Sequence, residues 1–512
     1  MAKKGGNIVI IGGGASGMTA AIRAKQLGSE SVILLEAASE LGGNAVYAPV
    51  PLLDREQLTD EAIEKEYVEL MELSDWTSDP RIVRTLLENS ARIPDWLEES
   101  GADLKSGERG GALASFLIEK CSEYGVDVRL NCYAKKIVKD ENDWASGVWV
   151  EQDGKNFTID ATVVVMATGG FLGENAQMER FCPYYDEVFF DEVHAAGNLY
   201  SGNGVSMAVN AGAGDEGIAT LIFTDDKLPF YDGPLSPCIR TVVNSSAALV
   251  VNNVGIRFSN EEHPNSPATY YHQPNKDIFR IFTLDTIEAL AEKYPDTVSV
   301  EQFLTDIQPL IEADQALIAD AKEPIAAWIR GKAHILGGAL EKYAAYTQKG
   351  HDDDFGKSPE NLLSFGQKGP YYVFRSGLSL GFTMGPVKVN PMMSCVTKFD
   401  VPTPALCACG SLLGDIFTSH FVSLKQSRAI RFAIASGLLA GEHADMFTRG
   451  GAPAPKYVWP KFSAKQVMAG DYYNVGTPAG GPPGPIEKGA EFGAEPRGPM
   501  PMGGPNHSRL SH

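Results

Sequence analysis

The chain opens on an unbroken apolar run, Asn7-Ile8-Val9-Ile10-Ile11, that meets glycine at Gly12. A short apolar run stopped by turn formers is the pattern of a strand buried on both faces. Ala15 to Leu27 reads as a helix, with Gly28 where a C-terminal cap belongs, and Ser31-Val32-Ile33-Leu34-Leu35 is a second buried strand ending in Glu36. Strand, glycine turn, helix and strand together make a βαβ unit. Residues 56–100 are predicted to form two or three amphipathic helices, and Gly111 to Tyr124 another, with a strand at Val126–Leu130 after it. Val148 to Asp160 alternates and turns at Asp153-Gly154, which predicts a hairpin. Ile159 to Ala167 is read as one apolar strand that ends in Thr168-Gly169-Gly170.

From about residue 226 the character changes: charged helical stretches over 285–348 lie between short strands. Strands return at 383–411, and a strong helix covers 427–445. The expected fold class is α/β. A Rossmann-like domain in two parts, 1–225 and 383–449, is interrupted by an α+β capping domain at 226–382. Beyond 450, Pro and Gly dominate, as in Gly480-Gly481-Pro482-Pro483-Gly484-Pro485, so a tail at 450–512 is expected to be extended or held by a partner or oligomer contact.

Composition narrows the function classes. The net charge of −21 argues against nucleic acid and anionic membrane as partners, because their phosphates repel an acidic protein. No apolar stretch approaches about 18 residues, and the N-terminal run is too short for a signal peptide, so the expected location is cytoplasmic with no membrane span. Seven cysteines at irregular spacing suggest no disulfide framework; Cys407 and Cys409 are read as buried structural thiols, and no metal is expected.

Gly12-x-Gly14-x-x-Gly17 lies between the first strand and the helix. The first glycine permits the turn, the second lets a pyrophosphate approach the backbone, and the third lets helix pack on strand, with the helix N-terminus aimed at phosphate. Glu36 closes the second strand, where its carboxylate accepts ribose hydroxyls. Leu41-Gly42-Gly43-Asn44 adds a second glycine loop that a plain NAD site does not need and a bulky flavin does. Gly12, Gly14, Ala15, Ser16, Gly17, Glu36, Gly42, Gly43 and Asn44 are therefore candidate FAD-binding residues. The bland alternative is that these glycines serve turns alone.

Further segments carry a resemblance. They are Val165-Met166-Ala167-Thr168-Gly169-Gly170-Phe171, Ser201-Gly202-Asn203-Gly204, Val251-Asn252-Asn253 through Arg257-Phe258-Ser259-Asn260-Glu261, Gly369-Pro370-Tyr371-Tyr372, Phe382-Thr383-Met384-Gly385 and Ala408-Cys409-Gly410. With the two glycine loops they resemble, in order and from residue 7 to about 445, the flavoprotein subunits and soluble relatives of fumarate reductase, succinate dehydrogenase and 3-ketosteroid dehydrogenase. The resemblance implies a FAD domain interrupted by a mobile cap, and hydride exchange between flavin N5 and a carbon–carbon bond. It adds Ala167, Thr168, Gly169, Gly410 and Ser411 to the expected FAD contacts, although Ser411 stands where many relatives place a glutamate.

The departures concern charge. Fumarate reductases carry a histidine before the Thr-Met-Gly segment, where this chain has Gly381 and Phe382. They carry arginines near Asn265 and Leu424, where this chain has none. A dicarboxylate needs several cations to offset its charge, so the expected substrate is neutral or a monoanion, an enone or a polycyclic ketone such as a steroid, and not fumarate. No histidine lies near Gly42–Asn44, so FAD is expected to be noncovalent. Tyr372, Tyr371 and Arg375 are the expected catalytic residues: the phenols as proton carriers and Arg375, if the segment is bent, as the cation that activates them. His420 and Lys425 are weaker candidates for substrate or flavin contact, and His263 and His272 are read as structural or exposed. With one dinucleotide loop and no haem motif, electrons are expected from a separate donor or acceptor. The rival reading is a flavin-binding electron-relay or docking subunit without substrate chemistry.

Overall fold

The computed structural model describes residues 6–46, 48, 50, 55–105, 111–182, 203–227, 233–262, 269–270, 272–417 and 428–450. Among them no helix is long and apolar enough to cross a membrane, and the tail from residue 451 lies outside them.

β1 (Ile8–Ile11) and β2 (Val32–Leu35) are buried at every position, as their continuous apolar sequence requires. They pair in parallel, Ile8 opposite Val32, with α1 (Ala15–Gln26) crossing between them. β3 (Asp127–Arg129) continues the sheet beyond β2. β4 (Cys132–Lys139), β5 (Ala145–Gln152) and β6 (Lys155–Asp160) form a separate antiparallel meander. Asp153 and Gly154, with φ of 52° and 71°, turn the predicted hairpin in the geometry that matches strand twist. The expected single strand over 159–167 divides here. Ile159 closes β6, and β7 (Val163–Met166) begins only after Asp160-Ala161-Thr162 interrupts the apolar run.

β7 lies against β1 on the side away from β2. A second, five-stranded sheet holds β8 (Thr220–Lys227), β9 (Leu249–Asn252), β10 (Ile278–Thr283), β11 (Ala316–Ala319) and β12 (Tyr371–Met384). Its strands run from 220 to 384, bracketing the insert expected at 226–382. β13 (Ser394–Val396) and β14 (Pro402–Ala408) then return to the first sheet, whose order is β13-β14-β7-β1-β2-β3.

β12 joins the two halves. Its first residues pair with β10 and β11, and its later ones with β8. Fourteen residues at about 3.3 Å each make it a beam of about 45 Å.

The last helix (Arg428–Thr448) crosses α1 closely. A Cβ at Gly437 would stand 2.5 Å from the Ser16 carbonyl oxygen, and one at Gly441 2.5 Å from that of Ala20. Its first turns are tied to α2 (Asp60–Leu73) through buried Glu66, which accepts from Arg428 Nε at 2.7 Å and from Arg431 at 3.2 Å. A polar cluster lies beside the second sheet. Lys357, fully buried, donates to Tyr343 Oη at 2.6 Å and lies 3.2 Å from Glu261, and burial pushes its ammonium down to about 8. All seven cysteines are free and buried; burial raises the Cys409 thiol to about 12.

Candidate functional site

The glycine loop follows β1. Gly12 has φ of +106°, and a Cβ there would lie 2.3 Å from the Ala167 carbonyl oxygen; at Gly17 it would lie 1.9 Å from the carbonyl oxygen of Gly12. These two glycines are dictated by packing. Gly14 is different: its φ of −77° suits any residue, and a Cβ there meets nothing within 4 Å. The space in front of Gly14 is open, and α1 begins there with no side-chain cap on its first turn. Uncapped amides at a helix N-terminus, facing open space, make a site for phosphate.

The second glycine loop closes onto the first. Gly42 donates to Gly13 O at 2.9 Å, Gly14 and Gly42 form a parallel bridge, and a Cβ on Gly43 would stand 3.4 Å from Gly14 Cα. Asn44, exposed, lies in the same 3-10 turn as Gly43. Glu36 fixes the loop: its Oε2 accepts from Gly13 N at 2.7 Å and its Oε1 from Ala38 N at 2.8 Å, which leaves further lone pairs on both oxygens for a sugar.

Two more segments arrive from β7 and β14. Ala167 N donates to Ile11 O at 2.8 Å, and Gly169 has φ of +76°. Thr168 Oγ1 is buried without a hydrogen-bond partner, under Gly204, where a Cβ would stand 1.8 Å from it. Gly410 has φ of +73°, and a Cβ on it would lie 2.3 Å from Ser16 Oγ; Ser411 O accepts from Gly385 N at 2.9 Å. The segments thus meet at the C-terminal ends of parallel strands, where open α/β sheets bind their ligands. The open space at Gly14, the uncapped helix and the Glu36 carboxylate fit a dinucleotide pyrophosphate and its sugar. Among the described residues no group of three or more His, Cys, Asp or Glu side chains is arranged to hold a metal.

Tyr371, Tyr372 and Arg375, the expected catalytic residues, lie further along the chain from these segments. They occupy the first residues of β12, opposite β10 and β11. Tyr372 and Thr383 are separated by about 35 Å of extended strand, and Thr383 is the residue that touches the FAD segments: its Oγ1 accepts from Phe171 N at 2.7 Å. Tyr372, 3% exposed, packs edge-on against Phe303 at 5.0 Å. Burial, with Asp320 and Glu288 adding to it, raises its phenol further from neutrality. Side chains alternate along a strand, so Arg375 projects to the opposite face from Tyr372 and cannot serve as its cation. Its Nε donates to Asp314 O at 2.9 Å, its Nη2 bonds the Asp314 carboxylate at 3.0 Å, and its guanidinium stacks 4.5 Å over Trp328. Tyr371, on that second face, donates to Gln367 O at 3.2 Å, and burial raises its phenol too.

His263, Asn265, His420, Leu424 and Lys425 lie outside the described residues, and His272 is exposed. Phe382, half-buried, stands beside Thr383. Two residues at the FAD end escaped the sequence reading. Thr383 was legible only as part of its Thr-Met-Gly segment. Ser436, whose Oγ accepts from Gly410 N at 3.0 Å, has no sequence signal beyond a lone polar residue within an apolar helical stretch.

The fold and the site define a FAD-dependent oxidoreductase, and comparison with known proteins agrees. A family described as FAD binding domain matches residues 108–421, and one described as FAD dependent oxidoreductase matches residues 7–183. The chain belongs to the FAD binding domain family. It is 24% identical to the vinyl phenol reductase of Lactiplantibacillus plantarum, over 86% of this chain and 97% of that one. It is 26% identical to a fumarate reductase (cytochrome) of Shewanella frigidimarina, over 86% and 77%. Its fold is similar to that of the 3-ketosteroid Δ1-dehydrogenase of Sterolibacterium denitrificans, with a TM-score of 0.69 at 17% identity, over 86% of this chain and all of that one.

Proposed function

We propose that this chain exchanges hydride between noncovalent FAD and a carbon–carbon bond next to a carbonyl, on a neutral or monoanionic substrate rather than fumarate. The observation that carries the reading is the residue at the FAD end of β12. Phe382, apolar and half-buried, stands immediately before Thr383, which is bonded to the loop after β7. This position offers no charge to a second carboxylate. Bound flavin supplies the hydride acceptor or donor at N5. The chain holds the cofactor and excludes water, and the carbonyl takes the charge that develops as the carbon–carbon double bond is reduced or formed. We infer that the proton carrier lies outside Tyr371–Arg375. Electrons come from a separate donor or acceptor, since the sequence has a single dinucleotide loop, and the reading of the sequence as cytoplasmic accords with a diffusible one.

The test is steady-state turnover driven by dithionite-reduced viologen across aryl-conjugated enones, cyclic enones and fumarate. The reading expects turnover of at least one enone class, with kcat/KM for fumarate about a hundredfold lower or less, the worth of one or two missing charge-assisted contacts. Turnover of fumarate alone contradicts it. No turnover of any alkene by flavin-replete protein favours the electron-relay alternative.

A further inference from the structure

We propose that the outer face of α2 and the turn after it dock a small, basic electron-carrier protein. The proposal rests on the reading that electrons reach or leave the flavin through a separate partner, and it adds the face and the charge of that partner.

The starting observation is a pair of exposed apolar residues on an ordered surface. α2 buries Ile63, Tyr67, Leu70 and Met71, with Glu66 among them. On the other side Glu61, Lys65, Val68 and Glu72 follow one another at spacings of four, three and four, so they form one row along the helix. Val68 is 36% exposed in the middle of that row, and Trp76 is 56% exposed just beyond its end. Trp76 is held in place: its N donates to Met71 O at 2.8 Å, and its ring stands edge-on to Tyr67 at 6.2 Å. Asp75 and Trp76 both lie in the left-handed region, at φ of 48° and 57°, where a bulky side chain is costly and glycine is not. The turn thus presents an indole to solvent at a position where glycine would suit the backbone better.

Charge says what covers the pair. Asp60, Glu61, Glu72 and Asp75 are all exposed, and none of them has an ion-pair partner among the described residues. Lys65 is the one cation in the row. Carboxylates around an apolar centre repel acidic proteins and attract lysine-rich ones. From Glu61 to Trp76 the patch is about 20 Å long, and electron carriers dock through small, transient contacts.

The inner side of α2 ties this patch to the cofactor end. Buried Glu66 accepts from Arg428 Nε at 2.7 Å, at the start of the last helix. Asp79 N, three residues beyond Trp76, donates to Asp415 O at 2.8 Å, downstream of Gly410. A partner on the outer face is therefore separated from the last helix by the width of α2, about 10 Å. Each docking passes one electron. Two dockings supply or remove the pair that one hydride transfer carries, and the accompanying proton is exchanged with solvent.

The experiment mixes FAD-replete protein, reduced anaerobically, with ferricytochrome c, a basic one-electron acceptor, in stopped flow at several salt concentrations. Wild type is compared with the triple variant Glu61→Gln, Glu72→Gln, Asp75→Asn and with Trp76→Gly. Reoxidation by neutral benzoquinone, flavin content and Tm are the controls. In the triple variant the second-order rate constant at low salt should fall about tenfold and lose most of its salt dependence. In Trp76→Gly it should fall about fivefold with the salt dependence kept. The benzoquinone reaction should be the same in all three proteins. Wild-type rate constants with the cytochrome in both variants overturn the proposal, as does faster exchange with an acidic flavodoxin than with the cytochrome. Should the triple variant lose its flavin, Glu72→Gln alone decides by the same salt dependence: a weakened slope supports the face, and a wild-type slope overturns it. Enone turnover driven by reduced viologen bypasses the docking face, so its absence counts against the substrate reading and leaves the docking result standing.

Discussion

Gly14→Val separates what the loop does for the fold from what it does for the cofactor. In the structure a Cβ at Gly14 meets nothing within 4 Å, and the backbone there, φ −77° and ψ −175°, is extended and open to a β-branched residue. The substituted apoprotein should therefore melt within a few degrees of wild type. The valine methyls fill the space that a pyrophosphate needs in order to reach the first amides of α1. Two charge-assisted hydrogen bonds of about 1.5–3 kcal/mol each are then lost, so FAD binding should weaken by about 10²- to 10⁴-fold and the protein should purify colourless. Gly17→Ala is the contrasting variant: its Cβ would fall 1.9 Å from a backbone oxygen, so the apoprotein itself should lose about 1–3 kcal/mol. Calorimetric titration of both apoproteins with FAD, beside their melting curves, checks the argument. FAD affinity within threefold of wild type in Gly14→Val would refute the placement of the pyrophosphate.

Three further outcomes are expected. Tyr372→Phe should keep its flavin and turn over within about threefold of wild type, because the hydroxyl sits in the cap core about 35 Å along β12 from the FAD segments; a loss of 10²-fold or more in steady-state assays would return the catalytic role to it. Burial beside Phe447 lowers the His443 imidazole to about 4. The unfolded chain takes up that proton near pH 6.5 and the folded chain only near 4, so stability falls as pH drops through this window. His443→Gln should remove about 1–2 kcal/mol of that acid sensitivity, after allowance for partial exposure, as read from urea unfolding at pH 7 and pH 4.5; an unchanged pH dependence contradicts it. Acid precipitation should release the flavin to the supernatant, and flavin retained in the pellet would show a covalent link.

The parts of the fold legible in the sequence are those with local causes. β1 and β2 are unbroken apolar runs, so their burial and the turn between them follow from four or five residues each. Glu36 was found because it ends one of those runs, and its bond to Gly13 depends only on the βαβ geometry. The pairing of Tyr372 with Arg375 requires a bent segment, and the sequence itself bears on that. Tyr371 to Ser376 alternates toward two different cores, and residues three apart on a strand face opposite ways, so the two side chains meet only if the strand bends. Ser436 was not legible at all, because its partner Gly410 is 26 residues distant and only the packing of the last helix brings them together.

The central claim is tested most directly by a single turnover. The protein-bound flavin is reduced anaerobically to its endpoint, excess reductant is removed, and either an aryl-conjugated enone or fumarate is mixed in while flavin absorbance and products are followed. The account predicts that the enone reoxidises the flavin and yields about one saturated product per flavin, with the new C–H bond at the β-carbon, while fumarate leaves the flavin reduced on the same timescale. Rapid reoxidation by fumarate with formation of succinate, and none by any enone, would contradict it.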